Sequence, residues 1–343
     1  MAMKQEQFMR ATMLVAFLCI AVVASAREWH INNKQGTPAH FADINAAMAS
    51  AEVADGDTLY LGAGCVINSN QTVSKRVTVI GTGWGYTDSP AAPAKINGTL
   101  SIRAENTKVI GLYVSGEIYI EAGHIVLERC STDASIYQNK SNIENVKILQ
   151  CKVPRILSHY ISENSGWEIK NCIMNFSHFA GGSSIDGLFN ATIENNVMRN
   201  ASTYNSGVLL RCSYSVIKNN IMLCPYNANY YIRSCSNNTM YNNVLSASSG
   251  YSGNVLAGTS ADVKAVFKCT GSIESGEYFS LIEGSPAIGA GEGGIDCGAM
   301  VGVYKFVPYG RPRNIPVLKE AVVPSMPTDG KVKVSFKIEN QNE

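Results

Sequence analysis

Six short segments between residues 125 and 243 show the same alternation of apolar and polar positions. Aligned, they are IVLERC (125–130), VKILQC (146–151), WEIKNC (167–172), ATIENN (191–196), SVIKNN (215–220) and NTMYNN (238–243). Their last residues are separated by 21, 21, 24, 24 and 23 positions. Alternation with a period of two is typical of a strand with one buried face, and this repeat length is that of one coil of a β-solenoid. The pattern therefore predicts short parallel strands stacked from coil to coil.

The last residue of each segment marks a repeating position, which we call the ladder position. It is occupied by Cys130, Cys151, Cys172, Asn196, Asn220 and Asn243. Two residues later comes a mostly apolar set, predicted to point inward: Thr132, Val153, Met174, Met198, Met222 and Leu245. Two residues earlier comes a mostly polar set, predicted to point outward: Glu128, Leu149, Lys170, Glu194, Lys218 and Tyr241. Stacked asparagine amides hydrogen-bond to one another, so we expect a buried structural ladder.

Cysteine is the other residue type that recurs in register. The chain has 10 cysteines, and Cys212 and Cys235 share a second repeating position, each 8 residues before an asparagine of the ladder. Stacked cysteines would lie about 4.8 Å apart, which is within the Cα range of a disulfide. Their side chains run parallel, however, and this disfavours the near-perpendicular torsion that a disulfide needs. Reduced cysteines packed in the core are therefore favoured.

The first 26 residues have the pattern of a signal peptide. Lys4 and Arg10 precede an apolar stretch from Met13 to Val23, and Ala24-Ser25-Ala26 is a small-residue cleavage site. We therefore expect residues 1–26 to be removed and the chain to be exported to the periplasm or outside the cell. The apolar stretch is shorter than the roughly 20 residues of a membrane span, so integral membrane association is not expected. A net charge of +1 also argues against nucleic acid as a partner.

The rest of the chain divides into three parts. Residues 27–64 are predicted to form an N-terminal cap and first strand, because Phe41, Ile44, Ala47 and Met48 have helical spacing ahead of the strand at 58–61. Residues 65–304 are predicted to form the solenoid. Residues 305–343 contain a proline-rich linker and an alternating segment at 331–338, which we expect to be one strand that runs back along the solenoid and pairs with it.

Two segments resemble a known group of proteins. FADINAAMASAEVADGDTLYLGAG resembles the N-terminal cap and first strand of the right-handed parallel β-helix, pectate-lyase-like superfamily, and SPAIGAGEGGIDCGAMVG (285–302) resembles the closing segment of its secreted bacterial members. With the repeats, the resemblance covers about residues 28 to 305. It implies an all-β, single-stranded right-handed parallel β-helix. The superfamily includes polysaccharide lyases, glycoside hydrolases, epimerases and non-catalytic binders, so the resemblance is weak for activity.

The resemblance also implies that a saccharide lies along the outer face of one parallel sheet. Counting back about 10 residues from the ladder predicts strands at Ile161-Ser162, Ile185-Asp186, Leu210-Arg211 and Ile232-Arg233. Ser162, Asp186, Arg211 and Arg233 would then form one outward column, with Leu209 and Tyr231 on the same face. Such a column suits an acidic sugar.

β-Elimination from a uronate is the favoured enzymatic hypothesis for this face. Arg211 and Arg233 would neutralise the substrate carboxylate, and a base would remove the C5 proton. The expected catalytic residues are Arg211, Arg233, Asp186 and His178, and the expected substrate-binding residues are Tyr231, Tyr204, Tyr230 and His159. His159, His178, Tyr204 and Tyr230 are also candidates for the base. The expected partner is a polysaccharide or oligosaccharide, and the expected state is a monomer.

Two alternatives remain open. Asp186 and Arg211 would equally form a surface ion pair that braces stacked coils, and the protein would then be a non-catalytic glycan-binding or surface-structural solenoid. A second cluster, Glu117, Tyr119 and Glu121 with Asp133, would suit Ca²⁺ or a carboxylate pair for glycoside hydrolysis. Its neighbours bring no further acids, so a solvated strand face is favoured there. Ca²⁺ is therefore the one candidate cofactor that the sequence leaves open.

Overall fold

The computed structural model describes residues 26–85, 92–160, 164–176, 183–200, 207–224, 232–246, 255–256, 266–268, 279–302, 304–311, 317–322 and 335–339. Within them, the strands stack into three long parallel sheets, and the chain passes from sheet A to sheet B to sheet C in each coil. The predicted parallel β-helix is therefore confirmed.

The strands are numbered in chain order. Sheet A contains β1 (Glu28–Ile31), β2 (Thr58–Leu61), β5 (Thr78–Ile80), β8 (Lys108–Ile110), β11 (Val126–Glu128), β15 (Lys147–Leu149), β19 (Glu168–Lys170), β22 (Thr192–Glu194), β25 (Val216–Lys218) and β28 (Thr239–Tyr241). Sheet B contains β3 (Val66–Ile67), β6 (Lys95–Ile96), β9 (Tyr113–Val114), β12 (Ser131–Thr132), β16 (Lys152–Val153), β20 (Ile173–Phe176), β23 (Val197–Asn200), β26 (Ile221–Leu223), β29 (Val244–Leu245) and β30 (Val255–Leu256). Sheet C contains β4 (Gln71–Val73), β7 (Leu100–Ile102), β10 (Ile118–Ile120), β13 (Ser135–Gln138), β17 (Arg155–Ser158), β21 (Ile185–Asp186), β24 (Leu209–Leu210) and β27 (Ile232–Arg233).

Two smaller strand pairs complete the list. β14 (Ile143–Glu144) pairs with β18 (Asn164–Ser165) in parallel at the corner between sheets C and A. β31 (Val317–Val322) pairs with β32 (Ser335–Glu339) in antiparallel fashion.

The alternation in the sequence sets the register of sheets A and B. In sheet A, Leu127 pairs with Ile148, and Ile148 pairs with Ile169, so identical positions stack inward. The set two residues after the ladder position is buried throughout, as predicted: Thr132, Val153, Met174, Met198, Met222 and Leu245. Each coil therefore adds a few buried side chains to one continuous core, as expected for a solenoid.

The asparagine ladder forms as predicted. The side-chain Nδ2 of Asn196 donates to Oδ1 of Asn220 at 3.0 Å, and Nδ2 of Asn220 donates to Oδ1 of Asn243 at 2.9 Å. The backbone N–H groups of Asn196 and Asn220 donate to the same oxygens, at 2.9 and 3.0 Å. The residue before each ladder position has a positive φ, between 52° and 57° from Asn171 onward, which turns the chain from sheet A into sheet B.

The cysteines stack in the same way and remain free. The backbone N–H of Cys151 donates to Sγ of Cys172 at 3.4 Å, and that of Cys212 donates to Sγ of Cys235 at 3.3 Å. Every cysteine in the described residues is free, and all but Cys235 are buried. The prediction of reduced, packed cysteines is confirmed for this part of the chain.

The N-terminal end contains the predicted helix, α1 (Ile44–Ala49). The carboxylate of Asp43 accepts a hydrogen bond from the N–H of Ala46 at 2.7 Å and caps the helix. Ile44, Ala47 and Met48 are buried in the main core cluster. The helix thus places its apolar face on the first coils. Within the described residues, no helix has the length and apolar character needed to cross a membrane.

The C-terminal part differs from the prediction. β32 pairs with β31 and not with a solenoid strand, because 317–322 supplies a second alternating segment close by in sequence. The segments that run back along the solenoid are instead 290–302 and 304–311. They cover the outer face of sheet B, where Ile173, Val197, Ile221 and Val244 share an apolar cluster with Phe306 and its neighbours.

Candidate functional site on the outer face of sheet C

The outer face of sheet C carries one continuous column of side chains. Strand pairing aligns one outward residue of each strand with one of the next strand. From the N-terminal end, the column consists of Thr72, Ser101, Tyr119, Tyr137, Leu157, Asp186, Leu210 and Arg233. The residues on either side of Tyr119, Ile118 and Ile120, are fully buried, so the column itself faces outward. We call it the sheet C column.

The predicted column was wrong at two places. Leu210, not Arg211, is aligned with Asp186 and Arg233, while Leu209 is fully buried beside Ile185. Arg211 comes one residue later, at a positive φ of 51°, in the turn that leaves the sheet. In the preceding coil, the column position is Leu157 and not Ser162, which lies outside the described residues.

Arg211 nevertheless contacts the column through its side chain. Its Nε donates to Oδ1 of Asp186 at 2.8 Å, and Nη2 donates to Oδ2 at 2.7 Å, which is a bidentate pair between neighbouring coils. The hydrogen bond to Asp186 raises the pKa of Arg211 above its ordinary value. The side chain of Asp186 is only 13% exposed. Both carboxylate oxygens of Asp186 are therefore engaged, so this arrangement favours bracing over proton transfer by Asp186.

An aromatic strip occupies three successive coils next to this pair. The rings of Tyr119 and Tyr137 meet edge to face at 5.9 Å, and those of Tyr137 and His159 meet edge to face at 5.1 Å. The hydroxyl of Tyr137 lies 2.8 Å from Nδ1 of His159. Burial raises the pKa of Tyr137, and the neighbouring Tyr160 and Tyr119 add to the shift, so the phenol is protonated at neutral pH. We call Tyr119, Tyr137 and His159 the aromatic strip.

His159 was predicted as a substrate-binding residue, and the structure places it in this strip. Tyr137 was not singled out from the sequence. The signal was present in Ser135-Ile136-Tyr137-Gln138, where Tyr137 occupies the same outward phase as Tyr119. A systematic alignment of sheet C strands would have found it, but the ladder position lies in the corner between sheets A and B and gives no register for sheet C.

Basic side chains flank the strip. Nε of Arg155 donates to Oγ of Ser135 at 2.9 Å, which holds its guanidinium group beside the column. On the other side, Arg103 pairs with Glu121 at 2.9 Å, and Lys140 lies 3.8 Å from the same carboxylate. The side chains of Arg103 and Lys140 are 53% and 58% exposed. The strip therefore has cations on both flanks.

The second predicted cluster does not assemble into a metal site. The carboxylate of Glu121 is almost fully buried and accepts from Asn139 and Arg103, so it is not a solvated residue of an exposed face. Asp133 accepts a hydrogen bond from the hydroxyl of Tyr113. Within the described ranges, no group of three or more His, Cys, Asp or Glu side chains is placed to hold a metal ion.

Four predicted site residues cannot be placed. His178, Tyr204, Tyr230 and Tyr231 lie outside the described residues. Arg233 is described and occupies the last position of the sheet C column, where it is partly exposed. No protein-family model matches the chain, and no curated protein sequence matches it.

Proposed function

We propose that the protein is an exported, carbohydrate-active β-helix that binds an acidic, uronate-containing polysaccharide along the sheet C column. The observation that carries the proposal is the aromatic strip, in which three rings on successive coils lie in edge contact at 5.9 and 5.1 Å. Aromatic rings present flat apolar surfaces with polar edges, and these suit the faces of sugar rings.

The charges beside the strip support an acidic ligand. Arg103, Lys140 and Arg155 flank it, and Arg233 lies further along the column. Neighbouring strands lie about 4.8 Å apart, so five steps from Tyr119 to Arg233 span about 24 Å. A linear polymer would run along this line and meet a basic side chain at several points, with bidentate guanidinium–carboxylate contacts as the strongest.

β-Elimination is the reaction proposed for this face. It breaks the bond to O4 of a uronate after loss of the C5 proton, and a nearby guanidinium group stabilises the charge that develops on the carboxylate. Membership of the pectate-lyase-like superfamily, proposed from the resemblance of 41–64 and 285–302, is compatible with this reaction and with non-catalytic binding.

Non-catalytic binding is the second candidate, and one specific observation favours it. Asp186 holds Arg211 in a bidentate pair at 2.8 and 2.7 Å, so two of the residues first expected to perform chemistry are engaged with each other. Breaking such a pair to bind a substrate carboxylate would leave Asp186 without its cation.

The test is binding and product formation with a panel of uronate polymers. Slower migration in affinity gels that contain each polymer measures binding, and ultraviolet absorbance of the unsaturated uronide product measures elimination. We expect the double variant Arg103→Ala/Arg155→Ala to bind severalfold more weakly than the parent protein. The affinity that remains should depend less on the salt concentration. Lys34→Ala, which removes an exposed base in the N-terminal cap, is the matched control. Absence of binding to every polymer, with and without calcium, would falsify the proposal.

A further inference from the structure

We propose that Tyr137 and His159 form a proton-transfer dyad that performs β-elimination on one face of a uronate, and that the substrate has its C5 proton and its O4 linkage on the same face of the ring. This inference rests on the proposed function. It moves the chemistry from Asp186, Arg211 and Arg233 to the aromatic strip, two coils towards the N terminus.

The dyad has the geometry of a relay. The hydroxyl of Tyr137 lies 2.8 Å from Nδ1 of His159, which is within the range for direct proton transfer between a hydroxyl and a ring nitrogen. Where the phenol donates, Nδ1 accepts and carries no proton. Burial and neighbouring tyrosines raise the pKa of Tyr137, so the pair rests as a protonated phenol beside an imidazole nitrogen.

The dyad also stands where a polymer would pass. Tyr137 occupies the sheet C column between Tyr119 and Leu157, and His159 is exposed next to it. Tyr119 supplies a ring for the neighbouring sugar. Leu157, at the column position of the next coil, is largely buried and does not project from the face. The hydroxyl of Tyr137 is therefore directed along an accessible part of the face.

A cation for the substrate carboxylate lies close by. Arg155 is on the adjacent strand, in register with Ser135, two residues from Tyr137. Strand spacing and rise place Arg155 and Tyr137 about 8 Å apart at the backbone, a distance that a guanidinium side chain and a phenol both reach across. Arg155 donates to Ser135 through Nε, which orients the guanidinium group on this side of the sheet.

The reaction balances without any further reactant. The C5 proton passes to the oxygen of Tyr137 as the phenol proton passes to Nδ1 of His159. The C5–H electron pair forms the C4=C5 double bond, and the C4–O4 bond breaks. The O4 oxygen then takes a proton from Tyr137, and His159 returns its proton to the phenol oxygen. The products are an unsaturated uronide and a new chain end, and the dyad is restored.

A single dyad restricts the stereochemistry. The described groups of the dyad approach the sugar from the protein side, so the proton that leaves C5 and the proton that arrives at O4 must be on one face. Glucuronate and mannuronate have H5 and O4 on the same face of the ring. Galacturonate and guluronate have them on opposite faces, and elimination from these sugars needs a base and an acid on two sides. The dyad therefore selects the first pair.

The experiment compares the full-length protein with Tyr137→Phe and His159→Asn. The first removes one hydroxyl and keeps the ring, and the second keeps a hydrogen-bond acceptor near Nδ1 but cannot take up a proton. We expect Tyr137→Phe to bind glucuronate and mannuronate polymers as the parent protein does, and His159→Asn, which loses one ring of the aromatic strip, to bind them more weakly. At saturating polymer, turnover of both variants should fall by about 100-fold or more. Tyr60→Phe, which removes an exposed hydroxyl that donates to Glu28 in sheet A, is the matched control and keeps full turnover.

Each outcome decides between the two proposals. Turnover of Tyr137→Phe at the parent rate, or parent turnover confined to galacturonate or guluronate polymers, overturns the dyad and leaves the lyase proposal standing. Binding without product from any polymer overturns the dyad and supports the non-catalytic candidate. If the parent protein binds none of the polymers, both the dyad and the proposed function are overturned. Unchanged melting temperatures in the two variants show that a fall in turnover comes from chemistry and not from unfolding.

Discussion

The guanidinium group of Arg129 donates through Nη1 to the backbone carbonyl of Arg311 at 2.6 Å, across 182 residues of sequence. Arg129 is 2% exposed, and its Nε donates to Oε1 of Gln150 at 2.8 Å. Gln150 in turn donates to the carbonyl of Tyr304 at 3.0 Å. Arg129 and Gln150, which directly precede the ladder position in two neighbouring coils, therefore bind the backbone of 304–311. We call these hydrogen bonds the tether, and they stabilise this segment on the outer face of sheet B.

Removal of this tether should destabilise the protein. Arg129→Ala leaves Oε1 of Gln150 and the carbonyl of Arg311 without their donor, and each buried polar group left unpaired costs about 1–3 kcal/mol. We expect a loss of about 3 kcal/mol in the free energy of unfolding, measured by denaturant titration. Arg76→Ala, which removes an exposed arginine side chain, should change it by less than about 1 kcal/mol. Equal losses in the two variants would contradict the tether.

The asparagine ladder should be most sensitive in its middle. Asn220 donates to Asn243 and to the carbonyl of Ile193, and its Oδ1 accepts from the backbone and side chain of Asn196. Asn220→Ala should cost about 3 kcal/mol because several buried partners lose a hydrogen bond at once. Asn68→Ala, which removes an exposed amide that accepts a hydrogen bond from Asn97, is the control and should cost less than about 1 kcal/mol. A similar melting temperature for both variants would refute a stabilising ladder.

The strand register of sheets A and B could be predicted from the sequence because the residues around each ladder position fit only one alignment. Buried and exposed positions around Asn196 and Asn220 differ in residue type, so the register has one solution. The register of sheet C was less well determined by the sequence. Leu209 and Leu210 are both apolar, and a shift by one residue exchanges inward and outward positions without an obvious penalty in the sequence.

The length of the corner between sheets C and A explains the other error. The strands β14 and β18 add residues there in two coils, so β17 ends at Ser158, well before the position found by counting back from Cys172. The dyad was missed for the same reason, since Tyr137 and His159 come from consecutive coils whose register only this corner determines. A contact between residues 22 positions apart has no local signature in one sequence.

The Asp186–Arg211 pair should contribute to stability rather than to binding. The side chain of Arg211 is 36% exposed, and partly exposed pairs contribute about 1 kcal/mol or less. We expect Asp186→Asn and Arg211→Gln each to lower the free energy of unfolding by that amount, and the double variant to lose little more than either single variant. Thermal unfolding of the four proteins tests the cycle. If Arg211→Gln loses polymer binding without any loss of stability, Arg211 instead contacts the polymer.

Acid should weaken the N-terminal cap through Asp57. Its carboxylate is buried and accepts from the N–H groups of Arg27 and Ala54 and from Nε1 of Trp29, at 2.8, 2.9 and 2.8 Å. Burial alone would raise the pKa of Asp57, but these donors outweigh it and lower the pKa. The unfolded chain therefore takes up a proton more readily than the folded protein, and the stabilisation is present above the unfolded value of about 3.9 and lost as the pH falls below it.

Asp57→Asn should remove this pH dependence. The free energy of unfolding of the parent protein should exceed that of the variant at neutral pH, and the difference should shrink as the pH falls through about 4, because protonation of the parent carboxyl removes the same charge. Denaturant titrations over a pH series measure the difference, with Glu52→Gln, an exposed acid in the same region, as the control. If Asp57→Asn does not fold, the slope of parent stability with pH still reports proton uptake on unfolding. A difference between parent and variant that stays constant from neutral pH to pH 3 would rule out Asp57 as the titrating group.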